Sequence, residues 1–295
     1  MDAGSLAISQ LSGGFDLYNS LESGQTYTWS RSDGGMYTEN PAAENAWYET
    51  IIDGCYVAVC RDDGQLQWRS SDGTVAPGLL RHHLRLDDDL EAIYSAFPDE
   101  PIINAAINRF SGMRLVRDPP FQCLISFICS AQMRVKRIYQ MQQNLSSSFG
   151  TTMTADGRSI HAFPTPAQLA AATETELREL GIGYRAPYVQ QTAEMVHDGV
   201  DPTAARNLPY EEARSYLTQY PGVGNKVADC VMLFSLGFLE AVPLDTWIQK
   251  AIATHFPACA LDSYEGTSRA IRSHFGPSVA GYVQTYVFHH LRTQE

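Results

Sequence analysis

Lys226 and Asp245 are the side chains whose surroundings point most directly at chemistry. Lys226 lies in Leu217-Thr218-Gln219-Tyr220-Pro221-Gly222-Val223-Gly224-Asn225-Lys226-Val227-Ala228-Asp229-Cys230, and Asp245 closes Val242-Pro243-Leu244-Asp245. A neutral lysine amine attacks electrophilic carbon and forms Schiff bases. A carboxylate beside it stabilises positive charge developing on a reacting group. Lys226 falls in the first turn of a helix, where unpaired N–H groups and the positive dipole end favour the neutral amine. Asp245 reads as the N-cap of the next helix, which predicts a low pKa and an ionised carboxylate.

The elements that must position this pair are a helix, a tight hairpin and a second helix. Pro221, Gly222 and Gly224 punctuate the chain, and Val227, Cys230, Val231 and Phe234 then recur at helical spacing, so the second helix begins near Gly224. Gly222 and Gly224 allow a sharp turn and close approach by another backbone, and the exposed N–H groups of the second helix suit a phosphate. From Gly224 to about Leu236 that helix rises ~18–20 Å at ~1.5 Å per residue. The stretch from Gly237 to Leu244 spans about 26 Å when extended at ~3.3 Å per residue. The chain can therefore return and set Asp245 beside Lys226.

Three further stretches carry recognisable patterns: Ser23-Gly24-Gln25-Thr26-Tyr27-Thr28-Trp29, Asp118-Pro119-Pro120-Phe121-Gln122-Cys123-Leu124-Ile125-Ser126-Phe127-Ile128-Cys129-Ser130, and Leu180-Gly181-Ile182-Gly183-Tyr184-Arg185-Ala186. With the hairpin, they resemble the 8-oxoguanine DNA glycosylase/AP lyase family of the helix-hairpin-helix (HhH-GPD) superfamily, in family order and over nearly the whole chain. The resemblance implies a nucleotide flipped from the duplex, Asp245 stabilising charge on its sugar, Lys226 attacking C1′, and β-elimination cutting the strand. It also implies that the Gly24 carbonyl accepts from N7–H of 8-oxoguanine and repels the bare N7 of guanine, that Phe288 stacks on the flipped base with Cys230 opposite, and that Gln284 reaches its pairing edge. Tyr184 matches a wedge into the base stack, and Arg137 and Arg185 match contacts to the opposite base. Backbone carbonyls of Thr218, Tyr220 and Val223 match a site for a structural monovalent cation bridging to a DNA phosphate. Neither a catalytic metal nor a cofactor is implied, and the family precedent is a monomer.

Two positions depart from the family pattern. The best-known members place an asparagine run after Cys-Ser-Ser, where this chain has Cys129-Ser130-Ala131-Gln132-Met133-Arg134. Gln132 can fill the space left by flipping, with a different reach, which leaves strictness for cytosine opposite the lesion open. Trp247 stands where many relatives carry histidine, so a different packing or phosphate contact is expected there.

Composition constrains the rest. A net charge of −12 argues against DNA binding only if it is uniform. Residues 1–100 carry 17 acidic and 5 basic side chains, whereas 101–295 carry 16 of each. The acidic surplus is thus on the first part, away from the hairpin. Lysine is scarce, with 3 against 18 arginines, a pattern resembling proteins of salt-loving organisms. The six cysteines form no metal-binding spacing, and only Cys259 follows Cys230, so a C-terminal four-cysteine cluster is excluded. With no leader-like N-terminus and no bilayer-length apolar run, an intracellular protein of the cytoplasm or nucleoid of a prokaryote is expected, with no membrane association.

Residues 1–95 read as mostly strand, through β-branched or aromatic patches at 27–29, 47–52, 55–60 and 66–69 separated by Gly and Asp turns. From about Pro101 the pattern is helical, with Asp118 as an N-cap before Pro119-Pro120 and helices expected through 278–292. The fold class is α+β: a twisted antiparallel domain at 1–112, then an all-helical HhH-GPD domain at 113–295. The expected partner is duplex DNA containing 8-oxoguanine. The rivals are the same fold acting on other oxidised bases, and a non-catalytic DNA-binding module.

Overall fold

The computed structural model describes residues 1–38 and 45–294. Strands β1 (Asp2–Ala7), β2 (Ser30–Arg31), β3 (Trp47–Ile52), β4 (Cys55–Asp62) and β5 (Gln65–Ser70) form one antiparallel sheet in the order β1-β5-β4-β3-β2. Register pairs Ile52 with Cys55 and Val59 with Trp68. Three of the expected patches are strands, closed by two-residue Asp-Gly turns. β1 contains no β-branched or aromatic residue, which is why its sequence does not read as a strand; pairing with β5 holds it at the sheet edge. Tyr27-Thr28-Trp29 is not a strand. Tyr27 is buried in the helical core and Trp29 in the sheet core, so this aromatic run crosses between cores and reaches the ladder only at Ser30.

Helices α1 (Leu17–Glu22), α2 (Ala76–His83), α3 (Leu90–Ser95) and α4 (Pro101–Arg109) complete the first part. Asp89 caps α3, accepting from Ala92 N–H at 3.1 Å. The second part contains α5 (Pro120–Ile128), α6 (Val135–Phe149), α7 (Pro166–Ala170), α8 (Glu174–Glu179), α9 (Ala186–His197), α10 (Tyr210–Leu217), α11 (Asn225–Val231), α12 (Thr246–His255), α13 (Tyr264–Phe275) and α14 (Ala280–Arg292). It departs from pure helix at one hairpin, β6 (Thr152–Ala155) with β7 (Arg158–His161), turned at Asp156-Gly157.

Helix α5 is the axle of this part. Every residue from Gln122 to Ile128 is buried, which suits a helix packed on all sides. A second helical core joins α12, α13 and α14 to α4 through Ile103, Ile252, Phe275, Val283 and Val287. The fully buried Arg114 ties the parts together by donating to the carbonyls of Ser12, Gly14, Arg85 and Asp88.

Asp118 is not the cap that its place before two prolines suggested. Its side chain points away from α5 into the interior and accepts from Thr26 Oγ1 at 2.7 Å. Its backbone donates to Phe234 O and accepts from Ser235 Oγ. Burial pushes its carboxyl up to about 7, against the pull of Thr26, Thr28 and the Tyr27 amide. The residue instead fastens the 23–29 segment to the helical core.

Candidate active site

The hairpin forms as its punctuation dictates. α10 ends at Leu217, Val223 N–H donates to Tyr220 O at 3.1 Å, and Gly224 is the N-cap of α11. α11 runs directly into a π-helical turn, Met232–Leu236, stopped by Gly237 in a left-handed conformation. Gly222 has φ of +80°, and Tyr188 covers it so closely that a methyl there would stand 2.8 Å from Tyr188 Cδ2. Gly224 has an ordinary φ of −96° and open space where a methyl would go. The fold itself therefore requires glycine at 222 but not at 224.

Lys226 is half-buried. Its Nζ donates to Ser130 Oγ at 3.1 Å and lies 5.5 Å from the centre of the Phe127 ring. Asp245 is the N-cap of α12 and accepts from Ile248 N–H at 2.8 Å. Its carboxyl is desolvated although the residue keeps a partly open edge, and burial raises its pKa above the ordinary value. The Ile248 and Trp247 amides and the nearby Lys226 charge pull the other way without cancelling this. This corrects the expected low pKa: desolvation outweighs the cap. Burial pushes the Cys230 thiol up to about 12, although Lys226 beside it acts in the opposite direction, so Cys230 presents a neutral apolar surface. Lys226, Asp245 and Cys230 thus form one electrostatic group.

Gly24 and Phe288 form a second group. Gly24 has φ of +93°, and a methyl there would stand 3.0 Å from Val135 Cγ2 and 3.6 Å from both Phe288 Cε1 and Arg292 Nη1. The flanking chain is firmly held. Glu22 accepts from Arg31 and Tyr48, while Gln25 donates to Ser20 O and Arg114 O and accepts from Val116 N–H. Gln284 is buried one turn before Phe288 on α14, its Oε1 accepting from Thr285 Oγ1. Tyr27 joins the two groups: it packs on Phe127 at 6.1 Å and feels the charges of Arg292 and Asp245.

The residues expected at the duplex lie on neighbouring loops. Tyr184 is 52% exposed, and Gln132 is exposed with a left-handed φ of 55°. Arg137 is exposed and donates to Gly181 O at 3.4 Å. Arg185 differs from an exposed base contact: it is buried, donates to Ala131 O, and its guanidinium lies 4.2 Å from the Tyr184 ring. It holds the Ala131–Arg134 turn. Trp247 is half-buried beside Asp245. Among the described residues, no helix is long and apolar enough to cross a membrane.

Residues 125–277 match the HhH-GPD superfamily base excision DNA repair protein model, and residues 6–124 match the 8-oxoguanine DNA glycosylase N-terminal domain. The chain belongs to the 8-oxoguanine DNA glycosylase family. It is 30% identical to a probable N-glycosylase/DNA lyase of Methanothermobacter thermautotrophicus, over 95% of this chain and 94% of that one. A 152-residue stretch is 40% identical to the N-glycosylase/DNA lyase of Saccharomyces cerevisiae, covering 47% of this chain and 40% of the relative. The crystal structure of Clostridium acetobutylicum 8-oxoguanine glycosylase/lyase, in complex with duplex DNA containing cytosine opposite 8-oxoguanine, superposes with a TM-score of 0.84 at 28% identity, over 95% of this chain and 92% of that one.

Sequence reasoning missed several members of the site. Ser130 and Phe127 stood inside a quoted motif but were given no role; Phe127 near the end of α5 and Ser130 in the turn just after it both face Lys226. Arg292 lies one turn beyond Phe288, and that i, i+4 relation was the available signal.

Proposed function

We propose that this chain is a bifunctional DNA repair enzyme: it excises 8-oxoguanine from duplex DNA and cleaves the resulting abasic strand by Schiff-base β-elimination. The reading rests above all on one observation. Lys226 on α11 and Asp245 at the start of α12 lie within reach of each other's charge, beside Cys230 in a partly desolvated corner. As the glycosidic bond breaks, Asp245 stabilises positive charge on the sugar. The Lys226 amine bonds to C1′ as the base departs with the bonding pair, its nitrogen gives up a proton to solvent, and the C1′–O4′ bond then opens with O4′ taking up a proton, so that the aminal becomes an iminium. The resulting iminium acidifies C2′; loss of that proton expels the 3′-phosphate and leaves the strand cut.

Base recognition is assigned to Gly24, Phe288, Cys230 and Gln284. A backbone carbonyl at Gly24 accepts from N7–H of the lesion and leaves guanine with opposed lone pairs, a polar mismatch of the kind that discriminates strongly. The duplex is assigned to the exposed Gly222–Gly224 turn, with a monovalent cation held by the carbonyls of Thr218, Tyr220 and Val223, and to Gln132, Arg137, Tyr184, Arg185 and Trp247. We assign residues 1–112 and 113–295 to the two functional units, and the protein to the interior of a prokaryotic, salt-adapted cell as a monomer.

Borohydride trapping on an 8-oxoguanine:cytosine duplex tests the reading. Wild-type protein is expected to form a covalent adduct and Lys226→Gln none. An adduct that survives in Lys226→Gln, or none from wild type, removes the proposal. Repeating the assay with all four opposite bases measures how far Gln132 relaxes the preference for cytosine.

A further inference from the structure

Beneath the catalytic pair lies a buried polar chain that the chemistry above does not use. Asp229, fully buried on α11 one turn from Lys226, accepts from Tyr210 Oη on α10 and from Tyr264 Oη at the start of α13, each at 2.7 Å. Arg214 Nη1 stands 3.8 Å from the same carboxylate. Tyr264 Oη in turn accepts from Leu244 N–H at 3.2 Å, and Leu244 precedes Asp245. One continuous path therefore runs from the helix carrying the amine, through a carboxylate and a phenol, to the backbone carrying the catalytic carboxylate.

We propose that Asp229 and Tyr264 are positioning residues that set the separation between Lys226 and Asp245. Three features support this over ordinary core packing. A buried carboxylate is unfavourable unless fully partnered, and apolar residues fill such space at lower cost, so the polar choice calls for a geometric reason. Tyr264 uses its single proton on Asp229 and a lone pair on Leu244, so shortening or lengthening either bond moves the other. Finally, the segment from Gly237 to Leu244 lies outside any helix or strand and is held from the side: Gly281 N–H donates to Leu239 O, Arg272 pairs with Glu240 and Gln249 Nε2 donates to Leu244 O, but these ties lead to α12, α13 and α14, whereas Tyr264 links Leu244 to the helix that carries Lys226. Burial lifts the Asp229 carboxyl to about 6, against the two tyrosines and the charges of Arg214 and Arg272, so the brace is fully formed only above that pH.

Tyr210 supplies the control: its hydroxyl bonds the same carboxylate but not Leu244, and its ring, which packs on Phe238 at the start of the returning segment, is kept in Tyr210→Phe. Tyr264→Phe and Tyr210→Phe each delete one hydroxyl bonded to Asp229. A brace predicts that Tyr264→Phe slows single-turnover excision about 10-fold or more, since displacements near 1 Å cost up to about 100-fold, with duplex affinity unchanged. Tyr210→Phe keeps near wild-type turnover. A purely structural role predicts equal effects from both. The inference is overturned if Tyr264→Phe slows excision no more than Tyr210→Phe, or loses duplex affinity in the same proportion as rate. Should Tyr264→Phe fail to fold, Asp229→Asn, which keeps shape and one acceptor, is measured instead and must slow excision without weakening binding. The inference rests on the Lys226–Asp245 reading, and Lys226→Gln in the same trapping assay separates the failures: an adduct there refutes the site, whereas its loss there with normal Tyr264→Phe turnover refutes only the brace.

Discussion

Gly24→Ala is the most informative single substitution, because its structural penalty and its chemical penalty are predicted to differ. At φ of +93° a side chain is strained, and the left-handed region costs a non-glycine residue about 1–2 kcal/mol. The added methyl would sit 3.0 Å from Val135 Cγ2, a few tenths of an ångström too close, with Phe288 and Arg292 at an ordinary 3.6 Å. Val135 starts α6 on a loop side and can yield slightly, so the folded state should lose roughly 1–3 kcal/mol in all, a Tm drop of a few degrees. The carbonyl is affected separately. Relieving the strain rotates the peptide that must accept from N7–H, leaving a buried donor without its partner at about 1–3 kcal/mol. Single-turnover excision of 8-oxoguanine should therefore fall about 10- to 100-fold, while borohydride trapping on a preformed abasic site, which needs no base recognition, stays near wild type. Differential scanning fluorimetry and the two cleavage assays measure all three quantities. If abasic-site trapping falls in step with excision, or excision is untouched while Tm falls, Gly24 does not recognise the base.

Other consequences are equally direct. Because burial raises the Asp245 carboxyl, the excision rate should fall on acidification with an inflection above the ordinary aspartate value of 3.8, and Asp245→Asn should remove both the inflection and most of the rate in a pH series of single-turnover measurements. Gly224→Ala should leave Tm unchanged yet weaken duplex binding about 10-fold by fluorescence anisotropy, since the methyl points into the open space where the phosphate backbone is proposed to lie, whereas Gly222→Ala should lower Tm through its φ and its contact with Tyr188. Asp118 binds its proton more tightly folded than unfolded. Between about pH 4 and about pH 7 the unfolded chain ionises first, so stability should decline as pH rises through that window, by on the order of a few kcal/mol. Asp118→Asn should flatten that slope in chemical denaturation at several pH values.

The layout of the candidate site was legible where local signals and chain geometry agree. The hairpin glycines, the 3.6-residue period after Gly224 and the reach of the segment to Asp245 were enough to bring amine and carboxylate together, and the cap at Asp245 follows from the helix start behind it. What failed were properties decided by burial. Asp118 looks like a cap because a carboxylate before Pro-Pro usually is one, but its backbone pairing with Phe234 turns the side chain inward, where Thr26 awaits it. Asp245 has the expected hydrogen bond and still the opposite pKa direction, since the cap is local and desolvation is not. β1 was invisible because its partner, not its own residues, makes it a strand. The β6–β7 turn carried an Asp-Gly signal, but its strands are only four residues each and lie inside a helical stretch.

The raised carboxyl of Asp245 is better suited to the proposed reaction than the low one expected. Only interactions that strengthen toward the transition state accelerate a step. A solvated, well-capped carboxylate is already stabilised in the resting enzyme and gains little when a cation arrives. Asp245 is instead held partly desolvated, with its charge opposed by burial and relieved mainly by Ile248, Trp247 and Lys226. In the proposed reaction the sugar becomes positive beside it and the low local dielectric makes that new attraction large, while the Lys226 nitrogen, its proton given up to solvent, is the nucleophile. The carboxylate then exchanges one cation for another without reorganising, which makes the fixed separation of the pair, and whatever holds it, part of the catalysis.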